Sequence, residues 1–258
     1  HIRLLKSPFG MVLVSGPTGS GKTTTLYASV NQLNDAERKI ITIEDPVEYQ
    51  FDGINQIQVN EKAEITFATG LRSLMRLDPD IILVGEVRDG ETARIACQAA
   101  LTGHLVLSSI HANDAVGVLL RLTDLGIEPF LAASSLIGVV GQRMVRRICA
   151  YCAADAQPSV EEQAMYEADL AEPLEMIKRG AGCNLCAGTG FLGRVGVYEV
   201  LSLNDDIRRL LLAGASAKII REQAIADGMV PMRRDGMLKV KHGLVTPAEI
   251  LRSVYSIN

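Results

Sequence analysis

Apolar residues in the first half of the chain occur in short continuous runs, and these runs alternate with segments of helical periodicity. The runs at residues 11–14, 40–43, 81–84 and 104–109 predict strands, because parallel strands covered on both faces are apolar throughout. The alternating pattern at 54–59 predicts an edge strand, and helices are predicted at 23–33, 66–77 and 91–101. Strands that alternate with helices predict an α/β fold with a mostly parallel sheet.

The pattern becomes helical after Asp114. Gly126 is expected to end one helix and Pro129 to begin the next. The apolar stretch 130–140 is too short for a membrane span of about 20 residues, and we interpret it as a buried helix. A further strand is predicted at 195–201, followed by three short helices, the last of which begins at Thr246 in a capping box with Glu249.

Composition limits the classes of function. The 258 residues suffice for one large α/β domain and a smaller appendage, and a net charge of −4 does not favour nucleic-acid or membrane binding. The sequence shows no signal segment, and five cysteines in such a chain indicate a reducing compartment. Because the chain begins at His1 rather than methionine, we expect it to be a fragment of a longer protein.

A phosphate-binding loop follows the first predicted strand and precedes the first helix. Glycines let successive backbone N–H groups face an anion, Lys22 supplies a cation for the β- and γ-phosphates, and the Thr23 hydroxyl is a ligand for Mg²⁺. The alternative, a chance glycine-rich turn, fits the strand–loop–helix context poorly. The loop residues are Gly16, Pro17, Thr18, Gly19, Ser20, Gly21, Lys22 and Thr23, and Thr24 completes the predicted nucleotide-binding set.

Acidic residues follow two of the predicted strands. Glu86 comes just after the run 81–84, where it would hold a metal-bound water or orient the attacking water, or would instead be an ordinary acid at a helix N-terminus. Glu44, Asp45 and Glu48 follow the run 40–43, at the strand end where ligands bind in open α/β sheets. One of these carboxylates would act on water, and a solvated acidic turn is the equal alternative.

Two histidines flank the strand at 105–110. His104 and His111 suggest a sensor of the γ-phosphate, although a lone histidine is usually an ordinary core or surface residue.

Four of the five cysteines form two C-x-x-C pairs 30 residues apart. Cys149, Cys152, Cys183 and Cys186 fill the four positions of a tetrahedral structural Zn²⁺ site, so a disulfide or redox role is disfavoured. Cys97 lies among apolar residues of a predicted helix and is assigned to packing.

Along the chain the motifs follow in the order glycine-rich loop, acidic segment 44–48, segment 84–89, the two histidines and the two cysteine pairs. This order resembles that of the ATPases of type II secretion and type IV pilus assembly. The resemblance implies a RecA-like P-loop core at residues 1–146, an inserted tetracysteine zinc module at 147–190, and a returning strand with a helical C-terminal part at 191–258. It also implies that Glu48 polarises water, that Lys22, Glu86 and His111 join in catalysis, and that His104, Arg88 and Arg194 lie near the nucleotide. Arg72 and Arg76 are implied near the nucleotide or a subunit interface.

For the whole protein, the resemblance implies a cytoplasmic homo-hexameric motor. Such a motor hydrolyses MgATP, acts on pilin-like subunits through an inner-membrane platform and its assembly proteins, and has neither nucleic acid as a partner nor a segment inserted in the membrane. We expect the upstream domains of the family to be missing from this sequence, and we therefore expect the chain alone to bind MgATP, turn over slowly and form no stable hexamer. The alternatives are a RecA-like nucleic-acid motor and a nucleotide-binding assembly module with little turnover.

Overall fold

The computed structural model describes residues 3–254; the predicted domain limits at residues 1 and 258 lie outside this range. Its elements alternate as the apolar pattern predicts. The strands are β1 (Gly10–Ser15), β2 (Ile40–Glu44), β3 (Asn55–Gln58), β4 (Ile81–Val87), β5 (Leu105–Ile110), β6 (Leu136–Ile148), β7 (Ala153–Ala156), β8 (Ile177–Gly180) and β9 (Phe191–Ser202). The helices are α1 (Lys22–Leu33), α2 (Phe67–Leu74), α3 (Gly90–Leu101), α4 (Ala115–Asp124), α5 (Pro129–Ser135), α6 (Val160–Leu170), α7 (Asp205–Leu212), α8 (Ala217–Ala226), α9 (Met232–Lys241) and α10 (Pro247–Val254), and short 3₁₀ turns occur at Leu4–Lys6, Glu61–Ala63, Met75–Leu77 and Asn184–Cys186.

Seven strands form one sheet in the order β3-β2-β4-β5-β1-β6-β9. The pairs β1–β5, β1–β6, β2–β3, β2–β4 and β4–β5 are all parallel, which confirms the predicted α/β class. Gly10 pairs with Leu105 and Ser15 with Ile110, so β1 and β5 end at the same edge. Loops that follow these strands therefore lie close together, as in other open α/β sheets.

Both faces of the sheet are covered by apolar side chains. Met11 and Leu13 of β1 pack into a core built with α2, α3 and α4, whereas Val12 and Val14 pack with Leu26 and other residues of α1. Successive side chains of a strand point to opposite faces, so a continuous apolar run supplies both cores. The continuous run thus predicted the buried position of β1 correctly.

The contacts divide the described residues into two compact units. The first contains the residues up to Thr18, Lys22–Gly141 and Val200–Met229. The second contains Gly19–Gly21, Gln142–Glu199 and the residues from 230 onward, and includes the antiparallel pair β7–β8 and its own apolar core. The predicted module 147–190 is thus the middle of the second unit, and the described part of the predicted C-terminal part 191–258 is divided between both units.

Two predictions about secondary structure were wrong. The stretch 130–140 is not one buried helix, because α5 ends at Ser135 and β6 begins at Leu136, where Met11 of β1 provides a parallel partner. The strand pairing, together with Gly138 and Gly141, outweighs the apolar periodicity. Four helices rather than three follow β9 within the described residues; Gly214 and Gly228, both at positive φ, follow the ends of the first two.

No helix within residues 3–254 combines the length and apolar character that crossing a bilayer requires.

Candidate nucleotide-binding site and tetracysteine cluster

The glycine-rich loop connects the carboxyl end of β1 to the N-terminus of α1. Gly19 and Gly21 have φ of 76° and 84°, a backbone conformation that favours glycine. The ammonium of Lys22 donates to the carbonyl oxygens of Gly16 at 2.9 Å and Pro17 at 3.3 Å. Burial lowers the pKa of Lys22, against an opposing effect of the charge of Glu86. A partly buried cation at a helix N-terminus is suited to an anion.

A charged cluster occupies the carboxyl ends of β4 and β5. Glu86 lies in β4 with 19% of its side chain exposed; one of its carboxylate oxygens is 2.9 Å from Nε2 of His111 and the other 3.1 Å from the Arg88 guanidinium. Arg88 also lies 3.5 Å from a carboxylate oxygen of Asp45. These bonds, first those from Glu86, raise the pKa of Arg88. The fold thus brings four predicted site residues together from three segments of the chain.

The acidic segment after β2 has one buried and one exposed glutamate. Glu44 is 3% exposed, and its carboxylate accepts hydrogen bonds from the Tyr27 hydroxyl, from Thr42 Oγ1 at 2.6 Å and from Gln56 Nε2 at 3.1 Å. Glu48 has an exposed side chain, and its backbone N–H donates to the Tyr27 hydroxyl at 3.1 Å. Glu44 is therefore already bound by protein donors, whereas Glu48 faces solvent.

His104 does not join this group. It precedes β5, whereas His111 follows it, and six residues of a strand separate the two by roughly 20 Å. Its Nδ1 lies 2.9 Å from the carbonyl oxygen of Ala99, at the end of α3. His104 therefore lies at the opposite end of β5 from the strand ends where open α/β sheets bind ligands, and its contact with nucleotide stays a prediction.

The remaining predicted arginines lie at the surface. Arg72 pairs with Glu91 at 2.6 Å, Arg76 is exposed in the turn after α2, and Arg194 is exposed in β9. Arg72 is thus paired outside the cluster around Glu86.

The tip of the glycine-rich loop is held by a residue that the sequence analysis missed. Gln142 of β6 is 2% exposed, and its Nε2 donates to the carbonyl oxygen of Ser20 at 2.6 Å. A Cβ atom on Gly21 would lie only 2.9 Å from the same nitrogen, so the contact also requires glycine there. Because Gln142 is 122 residues away from Ser20, no local pattern could have indicated it.

The four cysteines of the two C-x-x-C pairs lie close together in the second unit. All four Sγ atoms lie within 4.8 Å of one another, with separations of 3.9 Å for Cys149–Cys183 and 3.8 Å for Cys152–Cys186. These distances are far above the ~2.05 Å of a disulfide, and they match the ~3.8 Å edge of a tetrahedron with Zn–S bonds of ~2.3 Å. The cluster is therefore compatible with zinc.

Backbone donors surround one of these thiols. The N–H groups of Cys183 and Gly190 point at Sγ of Cys186 at 3.2 and 3.3 Å. Led by the bond from Cys183, they lower the pKa of Cys186 to about 6 despite its burial. A stabilised thiolate is the form that binds a metal.

The predicted packing role of Cys97 agrees with its complete burial in α3.

Comparison with known proteins gives one family. The model of the family described as "Type II/IV secretion system protein" matches residues 1–252. The chain is 48% identical over 249 residues to the type II secretion system protein E of Pectobacterium carotovorum, covering 96% of the chain and 49% of that protein. It is 45% identical over 251 residues to the type IV pilus assembly ATPase PilB of Thermus thermophilus, covering 96% and 28%.

A similar fold occurs in a solved structure, the pilus retraction motor PilT with bound ADP. The TM-score is 0.73 at 30% identity, and the match covers 97% of this chain and 63% of PilT. The chain spans about half the length of the curated type II relatives that it matches.

Proposed function

The chain belongs to the type II/IV secretion system protein family, and we propose that it is the MgATP-hydrolysing motor domain of a machine that assembles pilin-like subunits, in type II secretion or type IV pilus biogenesis. The observation that carries this proposal is the placement of Glu86, His111 and Arg88 at the same sheet edge as the loop that holds Lys22. Cations for a triphosphate and carboxylates for a water molecule are the parts that phosphoryl transfer needs.

Nucleotide binding is assigned to the loop. The backbone from Gly16 to Gly21 faces the phosphates, and the Lys22 ammonium exchanges its two carbonyl partners for phosphate oxygens. Thr23 and Thr24, both exposed at the N-terminus of α1, offer hydroxyls for Mg²⁺ and the α-phosphate. Bound Mg²⁺ supplies neutralisation of phosphate charge.

Activation of water is assigned to Glu48 and Glu86. Glu48 is the exposed carboxylate of the acidic segment, and Glu86 is oriented on both oxygens by His111 and Arg88. His111, which bonds Glu86, is assigned to sensing the γ-phosphate, whereas Arg88 links Glu86 to Asp45. Arg194 remains a candidate for contact with nucleotide from its exposed position in β9.

We assign Zn²⁺ to the tetracysteine cluster in a structural role. Four thiolates complete a tetrahedral coordination shell, which leaves no position for substrate.

The wider assignment follows the family. We propose that the whole protein acts as a homo-hexamer in the cytoplasm, on the inner-membrane platform and assembly proteins. Mass determination in solution, on this chain and on the longer protein, tests the hexamer.

A nucleic-acid motor is not favoured by the surface of the second unit. Arg146 donates to Glu249, and its guanidinium lies over the Phe191 ring at 4.2 Å, so this basic side chain already has protein partners.

The Lys22→Ala variant tests the proposal. A triphosphate loses its loop cation, and a charge-assisted bond of about 1.5–3 kcal/mol is removed, so we expect nucleotide binding or hydrolysis to be lost. Lys218→Ala, at an 84% exposed side chain in α8, is the control. Hydrolysis by Lys22→Ala at the parent rate would contradict the site.

A further inference from the structure

Tyr27 bonds to both ends of the acidic segment. Its ring is buried in α1, its hydroxyl donates to the Glu44 carboxylate, and the same oxygen accepts the backbone N–H of Glu48 at 3.1 Å. The Tyr27 hydroxyl therefore links the buried Glu44 carboxylate to the backbone of the exposed Glu48, four residues further along the chain.

The ring of Tyr27 holds the continuation of the segment. Tyr49 and Phe51 meet it edge to face, with centroids 4.6 and 5.0 Å away. Gln56 of β3 donates to the Tyr49 carbonyl at 3.2 Å and accepts the N–H of Phe51 at 2.8 Å. The segment is thereby fixed between α1 and β3.

The hydroxyl stays protonated throughout the working pH range. Burial, together with the bond to the Glu44 carboxylate, raises the pKa of Tyr27 to about 12. The phenol is therefore a permanent donor toward Glu44.

Tyr27 follows Thr23 by four residues on α1. Residues i and i+4 of a helix lie on the same face, about 6 Å apart along the axis. The helix that begins with Lys22 and Thr23 of the phosphate loop thus carries the contact that anchors Glu48 one turn later.

We propose that Tyr27 is a positioning residue for Glu48: it fixes the backbone of the acidic segment to the phosphate-loop helix, so that the Glu48 carboxylate is held at a set distance from the bound phosphates. This role rests on the proposed function. Glu48 alone would lie on an exposed segment, and a carboxylate that activates water must be held within hydrogen-bond reach of it.

The test is Tyr27→Phe, which keeps the ring contacts and leaves Glu44 two donors. Tyr166→Phe is the matched control, because Tyr166 is also buried, donates to Glu172 at 2.7 Å and has its pKa raised to about 12. We expect kcat of Tyr27→Phe to fall about tenfold, the effect of losing the hydrogen bond that holds the Glu48 N–H, with KM for ATP within about twofold of the parent. Tyr166→Phe should retain the parent kcat.

The double variant Tyr27→Phe/Glu48→Gln separates positioning from general stability. If Tyr27 acts through Glu48, its loss adds little once Glu48 is gone, whereas independent effects multiply. Multiplied losses, an unchanged kcat in Tyr27→Phe, or an equal loss in Tyr166→Phe would each overturn the proposal.

Amide hydrogen exchange gives a readout that needs no hydrolysis. The N–H of Glu48 should exchange faster in Tyr27→Phe than in the parent, and an unchanged rate would refute the anchor. If the parent shows no Lys22-dependent turnover, the motor function fails and the catalytic role of Tyr27 with it, while the exchange data still decide whether the anchor exists.

Discussion

Replacing Glu86 with glutamine examines the chemistry of the site most directly. Glutamine keeps the size of the side chain and removes the charge that faces Arg88 and His111 at 3.1 and 2.9 Å. The phosphate loop is unchanged, so we expect MgATP affinity to be retained. Turnover should fall by about 10²–10⁴, the range for loss of a general base or water-orienting carboxylate.

The magnitude separates this loss from a loss of folding. Arg88 and His111 are 56% and 52% exposed, and contacts of a carboxylate with such exposed partners contribute about 0–1 kcal/mol each. The two pairs together therefore cost at most about 2 kcal/mol of stability, which leaves most domains folded. A hundredfold rate loss corresponds to about 2.7 kcal/mol of activation free energy, and it should appear in a protein whose Tm has changed little.

The assay is steady-state phosphate release at saturating MgATP, with nucleotide affinity and Tm measured on the same samples. Glu128→Gln is the control. Arg94 donates two hydrogen bonds to that carboxylate, with lengths of 3.0 and 2.9 Å, and neither residue belongs to the proposed site. We expect the control to hydrolyse ATP at the parent rate. A Glu86→Gln variant that turns over like the parent would refute the role of Glu86, and an equal loss in both variants would show that the effect is structural.

Three further variants extend these predictions. Glu48→Gln should also keep MgATP affinity and lose about 10²–10⁴ in turnover; normal turnover would mean that the acidic segment is structural. Zinc should copurify at about one equivalent per chain and be lost from Cys149→Ser/Cys186→Ser, as metal analysis would show, and carefully prepared parent without zinc would contradict the site. Glu249→Gln should be less stable than the parent at neutral pH, and this difference in stability should shrink in acid. Burial would raise the pKa of Glu249, but its two arginine partners hold it at about 2, below the ordinary 4.5. The stabilisation is therefore complete above the ordinary pKa and lost as pH falls toward 2. Because the two guanidinium groups are 47% and 60% exposed, we expect about 1–2 kcal/mol rather than the roughly 3 kcal/mol of the full shift. Urea denaturation at neutral and acid pH measures it, and a difference in stability between parent and variant that does not change with pH would contradict it.

The sequence predicts the parts of the site that depend on neighbours in the chain. The phosphate loop lies between one strand and one helix, and Glu86 marks the end of an apolar run, so local patterns suffice. Tyr27 and Gln142 were missed because each acts on a segment brought near only by the fold. An apolar helix position and an ordinary strand residue carry no sign of such contacts.

His104 and His111 show that neighbours in a motif can be far apart in the fold. Both histidines belong to the same motif, but a strand between them places one at each edge of the sheet. The error at residues 130–140 has a related cause, since the start of β6 pairs with β1, more than 100 residues earlier. Pairing between distant strands outweighs local helical periodicity.

The second unit is built from separate stretches of the chain, and this has a consequence for genetic recombination. It combines Gln142–Glu199 with residues from 230 onward, and ion pairs join the two stretches: Asp169 binds Arg233 and Glu172 binds Lys241. A gene exchange limited to the cysteine-bearing stretch would separate these partners and leave Asp169, whose side chain is 9% exposed, without its cation. The tetracysteine segment and the C-terminal helices should therefore be transmitted together, and a substitution at Asp169 should be tolerated only with a compensating change at Arg233.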